Sequence, residues 1–142
     1  MSSRANIVLT GNPTNPFPRK DYQWGGDEET REEAGGGSRL GRLFFCASLS
    51  GLPAVLKEAK LSPDETWVMG GAEIYALFMP YCREAHVTRI SACDPEADCW
   101  MVNLDAAIGW ERIEKGILQE WGGLHFRYDR YRNGGTIGLP IG

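Results

Sequence analysis

"TWVMGGAEIYALFMP", residues 66–80, runs from an apolar stretch through two glycines straight into a helix-like pattern. Residues 66–69 read as a strand, and residues 72–79 as a helix stopped by Pro80. Gly70 and Gly71 carry no Cβ, so another group can approach the backbone closely between the two elements. A strand that ends in glycines and opens a helix presents uncommitted N–H groups together with the positive end of the helix dipole. That arrangement suits a pyrophosphate. From the residues alone, a simple tight turn is the readier explanation of the glycine pair.

Upstream, "ANIVLT" (5–10) is a β-branched run ended by "GNP", a strand followed by a turn. "LFFCAS" (43–48) reads as a second buried strand. Ser48 or Ser50 then caps "GLPAVLKEAK", where Pro53 is tolerable only in a first helical turn. Leu52, Val55, Leu56 and Ala59 share one face of that helix, which therefore packs on a sheet. "SPDE" (62–65) turns the chain into 66–69, and this strand–helix–strand order predicts a parallel pair with a right-handed crossover. Downstream, "AHVTRI" (85–90) is a strand, and the remainder reads as antiparallel. "WERI" (110–113) and the alternating "LHFRYDRYR" (124–132) are its strands, with a glycine turn at Gly122–Gly123.

Two stretches stand apart. Residues 11–42 hold three prolines, two glycine clusters and an acidic run at 27–33, the pattern of a long loop insert between two strands. Its Phe17, Tyr22 and Trp24 are candidates for pinning the first part to a surface. Residues 133–142 have no period and read as an irregular tail.

A chain of 142 residues suits a single domain. Its net charge of −4 gives no broad electrostatic reason to expect nucleic acid or an anionic membrane. No apolar run approaches the roughly 18 residues needed to span a bilayer, and the N-terminus lacks an apolar signal region. Cys46, Cys82, Cys93 and Cys99 show no CxxC spacing, which favours reduced thiols in the cytoplasm or an organelle matrix. Cys82, His86, Cys93 and Cys99 match no common zinc spacing, so no metal site is expected.

"VMGGAEIYALFMP", the short link after it and "AHVTRI" together resemble the cofactor-binding segment of the dihydrofolate reductase family. "RANIVLT" and "FFCASLSGLPAVLKEA" agree in order with that family's preceding strands and helix. "DCWMVNLD", "WERI" and "FRYDRYR" look like its closing antiparallel strands. The resemblance implies an α/β fold with a mixed, mainly parallel sheet and flanking helices, and reduction of dihydrofolate by hydride from NADPH. It further implies a cis peptide between Gly70 and Gly71, with the N–H groups of Gly71, Ala72, Glu73 and Ile74 facing the cofactor pyrophosphate. Thr10 and Asn12 would hydrogen-bond the cofactor. Met69 and Tyr75 would border the nicotinamide and the pteridine. Thr88 would steady the catalytic acid and the pterin amino group, and Arg4 would hold a folate carboxylate.

Two departures accompany the likeness. Gly11 stands where the family places a basic residue for the ribose 2′-phosphate, so a preference for NADPH over NADH does not follow; Arg19 or Lys20 of the insert are possible substitutes. The family's first strands, its mobile loop and its catalytic carboxylate all precede the position matching Arg4. No catalytic residue is therefore assigned, and general-acid help of that kind is worth about 10²–10⁴ in rate. The expectation is a fold lacking its first strands, inactive alone and completed by a protein partner. The alternatives are a non-catalytic structural subunit of a larger assembly and a relative of the reductase in riboflavin synthesis. "GGAEIY" argues for the folate branch.

Overall fold

The computed structural model describes residues 5–11 and 42–140. They divide into two units, one running to Thr66 and rejoined by the chain from Leu139, the other Trp67–Gly138. Arg4, Asn12 and all of the insert between Gly11 and Arg42 lie outside the described residues.

In the first unit, strands β1 (Ala5–Leu9) and β2 (Arg42–Cys46) pair in parallel, with Ile7 opposite Phe44 and Leu9 opposite Cys46. The N–H of Thr10 extends this ladder to the carbonyl of Cys46 at 2.9 Å. Ser48 caps a 3-10 turn, Leu49–Gly51, which feeds helix α1 (Leu52–Ala59). Pro53 sits in the first turn of α1, where its missing N–H costs nothing. Leu52, Leu56 and Ala59 are buried, and α1 packs against β2, so the face read from the sequence is the face that packs. The helix ends at Lys60, which adopts the left-handed conformation and donates its N–H to Leu56 and Lys57.

In the second unit, helix α2 (Ala72–Phe78) runs into a 3-10 turn at Met79–Tyr81 that absorbs Pro80. Strand β3 (Glu84–Ile90) then pairs antiparallel with β6 (Leu124–Asn133), which also pairs with β4 (Trp110–Glu114) and β5 (Gln119–Trp121). Gly122 and Gly123, both at positive φ (59° and 81°), close the β5–β6 hairpin, which only glycine does without strain. β5 is a strand that the polar "QEW" did not reveal.

Three expectations are corrected. Residues 66–69 form no strand: no described residue offers them a ladder, and Trp67 and Met69 are 69% and 88% exposed. The parallel pair is β1–β2 rather than β2 with 66–69, and every other described pairing is antiparallel. The described sheet structure is thus mixed but not mainly parallel. Residues 98–105 also form no strand; they make a loop that buries Leu104.

One edge of the second sheet carries no described strand. Ser91 N–H donates to His125 and Asn133 N–H to Arg83, both at 2.8 Å, so the odd-numbered residues of β3 address β6. The backbone groups of Glu84, His86, Thr88 and Ile90 then point to an edge that no described strand occupies.

Gly116, after β4, has a packing role that its sequence context hides. A Cβ there would stand 2.1 Å from the carbonyl oxygen of Tyr128, backbone that cannot retreat without opening the β3–β6 ladder. We expect Gly116→Ala to destabilise this unit by about 3 kcal/mol, the upper end of what forced overpacking usually costs. Thermal unfolding measures it. A variant melting within about 2 °C of the parent would show that the β4–β5 link gives way freely.

Candidate functional site

The peptide between Gly70 and Gly71 is cis, as the sequence resemblance implied. The two glycines do different work. Gly70 has φ +92°, and a Cβ on it would lie 2.7 Å from the ring of Tyr75. Its bareness lets the half-buried Tyr75 pack back beneath the turn. Gly71 has φ −73°, and a Cβ there would meet nothing within 4 Å. Packing does not demand a glycine at 71, and the space above it is open.

Gly71 is the N-cap of α2 and offers no side-chain cap. The first helical bond runs from Tyr75 N–H to Gly71 O at 2.9 Å. The N–H groups of Ala72, Glu73 and Ile74 precede that bond, so they remain available to an acceptor from outside. An anion laid against the bare Gly71 would meet these donors and the helix dipole together. Glu73 is the one countervailing feature, an exposed acid in the first turn.

Gly70 to Tyr75 are thereby brought together as one surface, with exposed Met69 beside it. Thr88 is exposed on β3, and no hydrogen bond among the described residues joins it to the glycine turn. Near it the Trp67 ring stands edge-on to His86, centroids 5.0 Å apart. Thr10 belongs to the first unit. Among the described residues no group of three or more His, Cys, Asp or Glu forms a metal cluster, and no helix is long and apolar enough to cross a membrane. The four cysteines are free thiols, and burial pushes the Cys82 thiol above its ordinary pKa.

Sequence reasoning missed a charge cluster on the far face of this sheet. Asp129 is fully buried, held by Gly116 N–H at 3.1 Å, Arg127 Nε at 2.9 Å and Arg112 Nη1 at 3.3 Å. Arg89 Nε is 3.1 Å away but poorly aimed for a hydrogen bond, so that contact is ionic rather than directional. Arg89 also pairs with Asp105, and its Nη2 donates to Tyr131 Oη at 2.6 Å; that hydroxyl donates to Asp105 at 2.9 Å. Burial drives the Asp129 carboxyl up, but hydrogen bonds from Arg127, Gly116 and Arg112 outweigh it and hold its pKa below the usual carboxylate value. The Tyr131 hydroxyl, followed by Arg89, does the same for Asp105. Alternation in β6 put Arg127, Asp129 and Tyr131 on one face; that Arg89 and Arg112 join them depends on strand order, which spacing does not report.

A family model described as dihydrofolate reductase matches residues 43–132, which take in α1, the glycine turn, α2, β3–β5 and most of β6. Two curated proteins are similar over part of the chain: the dihydrofolate reductases of Mycobacterium tuberculosis strains CDC 1551 / Oshkosh and ATCC 25618 / H37Rv. Each is 46% identical over 46 residues, 32% of this chain. The match spans 28% of each relative's length.

Proposed function

This chain belongs to the dihydrofolate reductase family, and from that premise we propose that it is the nucleotide-binding part of an oxidoreductase that reduces dihydrofolate. The observation that carries the reading is the open surface at Gly71. A glycine where packing does not require one, at the uncapped start of a helix, fits a cofactor pyrophosphate. In this reading the N–H groups of Gly71, Ala72, Glu73 and Ile74 hold the pyrophosphate, and Thr10 and Asn12 hydrogen-bond the nucleotide. Met69 and Tyr75 flank the reacting rings, while Thr88 and Arg4 address the pterin and the carboxylate of the substrate. NADPH, when bound, supplies the hydride. The chain's own residues orient it and exclude water.

Residues 1–142 are one partial domain in this reading, with 11–42 as an insert and 133–142 as a tail. A second polypeptide supplies the general acid and further strands in this reading; the β3 edge and residues 66–69, which no described strand pairs with, support that part.

The test is fluorescence titration of the purified chain with NADPH and with NADH. Saturable binding of either supports the reading, and NADPH preference would require a cation from the insert, since Gly11 offers none. If neither binds, the nucleotide role is lost and the structural-subunit alternative stands. Mass and melting of the isolated chain address the partner separately: a cooperatively melting monomer of full stability overturns it.

A further inference from the structure

We propose that the cavity between the far face of the β3–β6 sheet and residues 101–104 binds a small aliphatic carboxylate, with Arg89 as its charge partner. The site is independent of the glycine turn. It is a half-open cleft of about 150 Å³, bounded by Val87, Arg89 and Tyr131 on the sheet and by Val102, Asn103 and Leu104 on the loop. That is room for several waters, or for a short-chain acid.

The chemistry of the wall selects the ligand. The ion pairs join three guanidiniums (Arg89, Arg112, Arg127) to two carboxylates (Asp105, Asp129), which leaves one positive charge without a counterpart in the cluster. Arg89 commits Nη2 to Asp105 and Tyr131, and Nε lies against Asp129; Nη1 meets no acceptor among the described residues. Asn103 accepts the Asp105 N–H through Oδ1 at 3.1 Å, so what its amide has left to offer is the NH2 group. The uncommitted side-chain groups of Arg89 and Asn103 are therefore donors beside a cation, and Val87, Met101, Val102 and Leu104 make the rest of the wall largely apolar. A carboxylate brings only acceptors and can meet Arg in a forked pair, while its alkyl chain covers Val87, Val102 and Leu104. A cation is repelled, and a neutral amide offers Arg89 one uncharged acceptor in place of a carboxylate's charged pair.

The experiment titrates the isotopically labelled full chain with butyrate, butyramide and butylammonium, and with chloride at matched ionic strength, following amide shifts at 87–89 and 101–104. Saturable shifts with butyrate, and affinity at least about tenfold weaker for the other three, are expected from the loss of a charge-assisted pair. Removing Arg89 could unfold the cluster, so the decisive variant is Val102→Trp, at a half-exposed position, which fills the cavity and should weaken butyrate at least about tenfold with melting unchanged. Equal response to butyramide would mean a merely apolar cleft, equal response to chloride an adventitious ion only. Either result, no response to butyrate, or full affinity in Val102→Trp overturns the proposal.

Discussion

Gly71→Ala is expected to bind nucleotide about 10- to 150-fold more weakly than the parent while melting at nearly the same temperature. The separation follows from where the added methyl goes. It meets no protein atom within 4 Å, and the φ of −73° is one that any L residue adopts, so the fold has little reason to object. The same methyl projects into the space through which a pyrophosphate would reach the N–H groups of residues 71–74. Losing one charge-assisted hydrogen bond costs about 1.5–3 kcal/mol, which sets the range. Gly70→Ala supplies the contrast. Its Cβ collides with the Tyr75 ring at 2.7 Å and its φ is +92°, so stability and binding should fall together. Nucleotide affinity unchanged in Gly71→Ala would reduce the glycine pair to a turn that serves Tyr75 alone.

These two glycines also show how far the residues could be read in advance. A bare-backbone turn that opens a helix was visible in "GGAEIY", because glycine spacing and helical periodicity are local properties. That Gly70 accommodates Tyr75 while Gly71 faces open space is a matter of three-dimensional approach, and no spacing encodes it. The strands that carry their own alternation, β3 and β6, were legible for the same local reason. Residues 66–69 were misread because an apolar β-prone run becomes a strand only if something pairs with it, and pairing is non-local. The order of the sheet decided the rest. β6 is central, and it draws Arg89 from one neighbour and Arg112 from the other onto Asp129. In the sequence nothing set those two arginines apart.

Replacing Asp129 with asparagine should lower stability by about 3 kcal/mol at neutral pH, near 10 °C in melting temperature for a chain of this length. The cost arises because a fully buried carboxylate answers three guanidiniums and the Gly116 N–H, and an amide answers them with half the acceptors and no charge. The arginine side chains are only a quarter to a third exposed, so water recovers part of the loss, and the estimate sits at the low end for a broken buried pair. Acid provides an independent signature. The folded-state pKa of Asp129 lies below that of the unfolded chain, so its contribution is complete above the unfolded value near 4 and disappears as pH falls through the folded value. Parent and Asp129→Asn melting temperatures should therefore differ most at neutral pH and converge below about pH 4. Asp105, depressed for related reasons, shares Arg89 and Arg112 with Asp129, so its own titration responds to the substitution and forms part of the difference. A gap that stays constant down to pH 2 would show that the carboxylate's charge is not what the arginines hold, and that the variant fails through packing alone.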